Sequence, residues 1–546
     1  MTNARVEIPM PVNEPVLSYS PGSPERKLLQ AELERQYGER PEIPLIIGGR
    51  ELRTGKLGKA VCPHEHRHVL AEFHQAGEAE VRMAVRAALA AREKWERTPW
   101  HDRAAVFLKA ADLISSRYRY ILNAATMLNQ SKNVHEAEID ATAELADFLR
   151  FNCYFMQKIY SEQPLLHSPG TWNRLQYRPL EGFVFAVSPF NFTAIAGNLC
   201  AAPALMGNVV VWKPASTSVL SAYYLMNLYR EAGLPDGVIN FVPGPGAHVG
   251  PHVLQNEHLA GVHVTGSTQV FSAMWQTIGR NIRAYRSYPR LVGETGGKDF
   301  MFLHPSADVR AAAVALARGA FEYQGQKCSA VSRAYVPESL WPRLWSELEP
   351  MIDDITADTG DPRDFKFFNA LISQPAYDNT MAYLAEAGRS RTARLIKGGS
   401  GDSGTGYFVQ PTVILADDPG YITMKEELFA PVLTIHVFPD KRYEDMLRLC
   451  DSTSAYALTG AVFANDRAAI GRALDSLRHA AGNIYINDKP TGAVVGQQPF
   501  GGGRASGTND KAGSHLNLLR WTSPQTIKEC FAPPHDHRYP FMGTGK

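Results

Sequence analysis

Between residues 182 and 297 five short apolar runs, GFVFAVSPF, NVVVWKP, VINFVPG, LAGVHVTGS and RLVGETGG, alternate with segments of helical spacing. The intervening segments are AGNLCAAPALM, TSVLSAYYLMNLYREAG, the stretch around HVGPHVLQN, and TQVFSAMWQTIGRNI. Each run suits a strand buried on both faces. Strand, helix, strand at this spacing predicts right-handed crossovers and a parallel sheet with helices on both faces. Such sheets bind ligands at the carboxyl ends of their strands, so chemistry is to be sought just after each run. A second α/β pattern begins near residue 299: helix DVRAAAVALARGAFEY, strand RAYVP, a helix from SLWPRLWSELEPMIDDI, and strands PVLTIHVF, TGAVFA and GNIYIN. Upstream, residues 77 to 160 carry Ala, Leu, Glu and Arg at helical spacing. A glycine-rich QQPFGGGRASG leads into a strand-like TSPQTIKE that is able to reach away from its own domain. A chain of 546 residues divides into two or three domains, because single cores rarely exceed about 250 to 300 residues.

With 56 basic against 55 acidic residues and no basic stripe, nucleic acid is not an expected partner. No apolar run reaches the roughly 18 residues of a membrane span. The opening MTNARVEIPMPVNEPVLSYS lacks an apolar leader core and reads as an ordered arm. The six cysteines are scattered, with no C-x-x-C pair, which fits reduced thiols in a cytoplasm; the mitochondrial matrix is the alternative.

No G-x-G-x-x-G follows any of these strands; Gly244-Pro245-Gly246 with Gly250 has the wrong spacing, so a nucleotide here would be held without the usual glycine turn. His64-Glu65-His66-Arg67-His68 satisfies H-E-x-x-H, a zinc-hydrolase motif that works only on a helix. Here it follows Pro63 and runs into HVLAEFHQ, which alternates like a strand, so a solvated strand or turn is expected and no metal. Cys328, in FEYQGQKCSAVSR, sits in a small polar loop after a predicted helix, beside Lys327, whose charge would favour a thiolate. From these residues alone it fits a nucleophile and a small buried hydrophobe equally well. Glu294 ends a strand in LVGETGGKD, and Asn191 follows a strand in SPFNF; a turn-side acid and a helix cap are the plain alternatives. A thiol, a carboxylate and an amide are the parts needed to form and hydrolyse a thioester.

SPFNF, VVVWKP, HVTGS, ETGGK, GQKCS, KEELFAPV and PFGGGRASG occur in the order found in the aldehyde dehydrogenase superfamily, which the chain resembles from about residue 45 to its end. Glu294 precedes Cys328 by 34 positions, the family spacing. SPFNFTAIAGNL, AEIDATAELADFLRFN, FEYQGQKCSA and GAVVGQQPFGGGRASGTNDKAG resemble the Δ1-pyrroline-5-carboxylate dehydrogenase branch, in its monofunctional form. A broad-specificity aldehyde dehydrogenase is the nearest rival.

The resemblance implies an α/β fold with a Rossmann-type NAD-binding domain (residues 46–159 and 181–293), an α/β catalytic domain (294–507), an oligomerisation arm (160–180 and 508–546) and an N-terminal arm (1–45). It implies Cys328 as nucleophile, Asn191 and the Cys328 N–H as oxyanion donors, and Glu294 as the base for hydrolysis. NAD is implied at Ser188, Pro189, Phe190, Lys213, Ser216, Gly266, Ser267, Glu427 and Phe429. Relatives often carry an acid where Ser216 stands in KPAS, so the preference for NAD over NADP rests on kinship. For glutamate γ-semialdehyde as substrate, Ser329, Gly492 and Ala493 would hold the α-carboxylate, Glu144 the ammonium, and Phe192 and Phe500 the methylene chain. A homo-oligomer, at least a dimer, and functional coupling to proline dehydrogenase are implied partners.

Overall fold

The computed structural model describes residues 6–543. The five apolar runs form adjacent parallel strands of a seven-stranded sheet, in the order Arg290–Glu294, Leu259–Thr265, Phe183–Val187, Val209–Lys213 and Ile239–Phe241. Leu45–Ile47 and Arg50–Leu52 add antiparallel at the far edge. Phe183–Val187, Val209–Lys213 and Leu259–Thr265 are buried along their whole length, as strands covered on both faces must be. The covering helices include Thr193–Leu205, Val219–Ala232, Gly246–Leu254 and Thr268–Arg280.

The second seven-stranded sheet runs Ala393–Lys397, Thr412–Ala416, Val432–Phe438, Val331–Pro337, Asp299–Leu303, Thr459–Phe463, Asn483–Ile486, with only the first strand antiparallel. The expected helices are Val309–Phe321 and Trp341–Ala357. The strand-like tail is Thr522–Cys530, paired antiparallel along nine residues with Thr171–Pro179 in a two-stranded ribbon.

The upstream helices are Glu78–Arg97, Trp100–Ser115, Tyr118–Gln130 and a final rod from Val134 to Ser161. That rod is interrupted by a π-helical turn, Glu138–Ala143, between α-helical stretches Val134–Ala137 and Glu144–Ser161. Such wide turns shift the faces of a helix and recur at functional sites. Among the described residues no helix is long and apolar enough to cross a membrane.

The H-E-x-x-H string enters strand Glu65–His74, as its alternation suggests. It is not solvated throughout. His64 is buried, its Nδ1 2.7 Å from Ser131 Oγ, while His68 stacks on Tyr37. His64 lies in the turn before the strand and His68 within it, so the two do not share a helix face as a zinc hydrolase of this motif requires.

Candidate active site

Two segments that follow first-sheet strands meet one loop of the second unit. Strand Arg290–Glu294 delivers Glu294, and the turn after Phe183–Val187 delivers Asn191 and Phe192. Opposite them, helix Val309–Phe321 runs into a kinked turn where Tyr323 and Gln324 take left-handed backbone angles, and Gly325 follows at φ 67°. Only glycine fits there, since a Cβ would lie 2.2 Å from the Ala430 carbonyl oxygen. This turn leads into Cys328, which lines the same cavity as Glu294.

One cavity brings together Cys328, Ser329, Glu294, Phe192, Glu144, Gly492, Ala493 and Phe500, from five stretches of the sequence. Ser329 Oγ lies 2.8 Å from Thr491 Oγ1, which ties the cysteine loop to the loop of Gly492 (φ 92°) and Ala493. Glu144 faces the cavity and is not the solvent-exposed acid a helix surface would give. Burial first, then the neighbouring Asp140 carboxylate, pushes its carboxyl well above the usual range.

Glu294 is similar. Its Oε2 is buried without a hydrogen-bond partner, and burial raises its pKa strongly, while Lys511 draws it down. A carboxylate whose pKa is raised by burial is, once deprotonated, a stronger base toward water.

Cys328 keeps some exposure, whereas four of the other cysteines are buried and Cys530 lies exposed at the end of the ribbon. The expectation that Lys327 would favour its thiolate is corrected. The Lys327 ammonium turns to Glu322 at 3.2 Å, and Lys489 joins the same carboxylate at 3.0 Å. The charges that do act on the sulfur are Asp299, Glu427 and Glu294, and together with burial, the largest cause, they push the thiol well above its ordinary value. At rest this cysteine is a thiol, so a proton must leave before it attacks.

Asn191 is buried, but its Nδ2 donates to the Gln326 carbonyl at 3.1 Å, two residues before Cys328. The amide stands beside the nucleophile loop with one donor already engaged.

The residues expected to hold a dinucleotide gather at the carboxyl ends of the parallel strands. Ser188, Pro189 and Phe190 follow one strand, Lys213 closes the next, with Ser216 in the short turn beyond, and Gly266 and Ser267 follow a third. Buried Lys213 is lowered to about 8 by desolvation, with its Nζ 2.8 Å from the Pro214 carbonyl. Ser267 caps the 13-residue helix Thr268–Arg280, its Oγ accepting from Val270 N, and the only atom near a Cβ built at Gly266 is 4.0 Å away. An open helix N-terminus of this kind accepts an anion. Phe190 meets Phe429 edge to face at 5.7 Å. Glu427, raised by burial to about 7, accepts from Gly297 N at 2.8 Å.

Sequence reasoning missed several groups at the site. Asp140 lines the same cavity four residues before Glu144, and its carboxylate pairs with Lys132, a fully buried lysine whose ammonium sits 4.1 Å from the Phe192 ring centroid and 4.3 Å from that of Tyr323. Asp299 is buried and raised well above its usual range. The i, i+4 spacing of Asp140 and Glu144 was a signal in the string AEIDATAELADF, but the buried lysine that answers it lies on another segment.

Two α/β units, a cysteine loop set against a strand-end carboxylate, and an anion-ready helix terminus define an aldehyde-oxidising class of fold and site. The chain belongs to the aldehyde dehydrogenase family, whose model matches residues 53–527. It is similar to the mitochondrial Delta-1-pyrroline-5-carboxylate dehydrogenase of Dictyostelium discoideum, 53% identical over 99% of this chain and 97% of that one. It also matches the crystal structure of the Delta-pyrroline-5-carboxylate dehydrogenase of Mycobacterium tuberculosis bound with NAD, with TM-score 0.95, 51% identity, and 99% and 100% of the two chains covered. The Thermus 1-pyrroline-5-carboxylate dehydrogenase with bound NAD matches at TM-score 0.89 and 30% identity, over 96% of this chain and all of that one.

Proposed function

We propose that this protein oxidises L-glutamate γ-semialdehyde, the open form of Δ1-pyrroline-5-carboxylate, to L-glutamate with NAD. The observation that carries the reading is the single cavity in which a thiol, a raised carboxyl and a separate polar set, Glu144, Ser329, Gly492 and Ala493, are assembled. A simple aldehyde needs the first two only; an amino acid aldehyde needs all of them. Relatives named for this activity, two of them with NAD in the crystal, support the choice.

In this scheme the Cys328 thiol first gives its proton to solvent water, and the sulfur forms a bond to the aldehyde carbon while the carbonyl π bond opens and leaves its electron pair on the oxygen as an oxyanion. Asn191 turns its amide from the Gln326 carbonyl toward that oxyanion, joined by the Cys328 backbone N–H; one such donor is worth about 100- to 1000-fold in rate. Lys213, Gly266 and Ser267 at the strand ends, with Glu427 and Phe429 in the loop before strand Val432–Phe438, would hold NAD, which would accept the hydride that leaves the carbon as the oxyanion collapses to the thioester carbonyl. Glu294 then takes a proton from water as the water oxygen attacks the acyl carbon, and the carbon–sulfur bond breaks to release the carboxylate and the Cys328 thiolate. Glu144 meets the ammonium, while Ser329 with the Gly492 and Ala493 N–H groups meets the α-carboxylate. Phe192 and Phe500 flank the methylenes.

We propose the first sheet as the NAD-binding unit and the second as the catalytic unit, with the domain bounds expected from the sequence as part of that proposal. The ribbon of Thr171–Pro179 and Thr522–Cys530 has open edges and is proposed to complete a neighbour's sheet in a homo-oligomer of at least two chains. Six unpaired cysteines suit a reducing compartment, for which we propose the cytoplasm, and proline dehydrogenase is the proposed source of substrate. Purified protein given NAD and Δ1-pyrroline-5-carboxylate should form NADH, with propanal much the poorer substrate. Equal efficiency with both would replace this reading by a broad-specificity aldehyde dehydrogenase.

A further inference from the structure

Residues 8–19 run without regular secondary structure along the rod that carries Asp140 and Glu144. Their contacts follow that rod. Ile8 N donates to the Gln157 side chain, Glu14 N to Asp147 Oδ1 at 2.7 Å, and Leu17 N to Glu138 Oε1 at 2.9 Å. The Tyr19 hydroxyl donates to Glu138 Oε2 at 2.7 Å. The Glu14 carboxylate receives Arg119 at 2.8 Å and Arg150 at 2.6 Å. Charge-assisted bonds of this kind, shielded from water, fix the segment in one register.

Within it, Asn13 bonds at once to the helix and to the loop that carry cavity-lining residues. Its Nδ2 donates to Asp147 Oδ2 at 2.7 Å and to the Val495 carbonyl at 2.8 Å, and its Oδ1 accepts from Gln497 Nε2 at 3.0 Å. Asp147 is one turn beyond Glu144, and Val495 is two residues beyond Ala493. A carboxylate and a carbonyl only accept, so the amide has one orientation that satisfies all three bonds. The apolar side of the same seam is formed by Val495 against Phe148 and Phe151, with Gly496 so close to Phe151 that a Cβ would lie 2.2 Å from its Cε1.

We propose that Asn13 is a positioning residue for substrate specificity: it clasps the loop of Gly492 and Ala493 to the helix of Glu144, fixing the distance between the groups that receive the α-carboxylate and the α-ammonium. The part assigned to those two walls rests on the substrate reading above. The clasp acts on the amino acid end of the substrate and leaves the Cys328 chemistry untouched.

The test uses full-length Asn13→Ala and Gln497→Ala enzymes, each first shown to unfold near the parent temperature. In Asn13→Ala, hydrogen–deuterium exchange of peptides covering 491–500 should rise without any ligand present. KM for Δ1-pyrroline-5-carboxylate should rise about 5- to 20-fold with kcat within about twofold, because hydrogen bonds outside the reacting centre are lost. KM for propanal should stay unchanged, and Gln497→Ala should give a smaller effect of the same pattern. Unchanged exchange in the 491–500 loop overturns the clasp, and so does a KM that rises equally for both aldehydes. If the parent enzyme fails to oxidise Δ1-pyrroline-5-carboxylate, the substrate reading falls, and the exchange experiment alone decides whether Asn13 holds the loop.

Discussion

Replacing Glu294 by Gln separates the two halves of the proposed reaction. Gln has the same shape and size and keeps one oxygen, so the strand end Arg290–Glu294 and its bridge to Gly507 need not move. What disappears is the group able to take a proton from water. No other carboxylate lining the cavity is free to replace it: Asp140 is paired with Lys132, and Glu144 is committed to the ammonium in our scheme. A positioned base contributes about 100- to 10,000-fold, so the barrier to thioester hydrolysis should rise by about 3 to 5.5 kcal/mol, taking about 1.4 kcal/mol per decade. Formation of the thioester also delivers NADH, and it should persist. Stopped-flow absorbance would then show a burst approaching one NADH per subunit followed by a slow steady rate, where the parent shows no such break. The variant should also lose the rise of steady-state rate with pH that a carboxylate base imposes, since Glu294 works only when deprotonated and burial raises its pKa. Loss of the burst in proportion to the steady rate would move Glu294 to an earlier step, such as removal of the Cys328 proton. A steady rate within about threefold of the parent would refute its role as base, given the size of that effect in other enzymes.

Two further perturbations read other parts of the account. Glu144→Ala should raise KM for Δ1-pyrroline-5-carboxylate about 10- to 100-fold, as expected when an ammonium loses a buried partner, and leave propanal kinetics unchanged; equal effects would remove the ammonium contact. His263 is buried neutral against Trp521, with Nδ1 2.9 Å from the Leu199 carbonyl, and burial lowers it to about 3. Its folded pKa lies below the unfolded value, so its contribution is full above about pH 6.5 and erodes as pH falls through the range down to 3. Urea unfolding of His263→Gln from pH 6 to 4 should show a stability slope shallower than the parent's by about 1.4 kcal/mol per pH unit, and an unchanged slope would contradict a buried neutral ring.

Much of the fold was legible because its strands are short apolar runs bounded by turns, a pattern that depends on few residues. Val209–Lys213 and Leu259–Thr265 fall where NVVVWKP and LAGVHVTGS place them. The cavity was legible through motifs, since Cys328, Ser329, Glu294, Glu144, Phe192 and Phe500 come together from five separate strings. The choice of partner by each charged side chain was not. The sequence sets Lys327 beside Cys328, but a side chain that long chooses its partner in three dimensions, and Glu322 is the one it meets. The same limit hid Lys132, whose charge is balanced by Asp140 across the π turn, and Asn13, whose partners lie more than a hundred positions away. The sequence read the segment of His64 as a solvated strand or turn, but could not say that Ser131 meets its buried ring.

The central claim is that Cys328 carries the acyl group. Cys328→Ala should abolish NADH formation from Δ1-pyrroline-5-carboxylate while binding NAD with the parent's affinity in a fluorescence titration, because the residues proposed to hold the dinucleotide are untouched. Appreciable turnover by that variant would contradict the account.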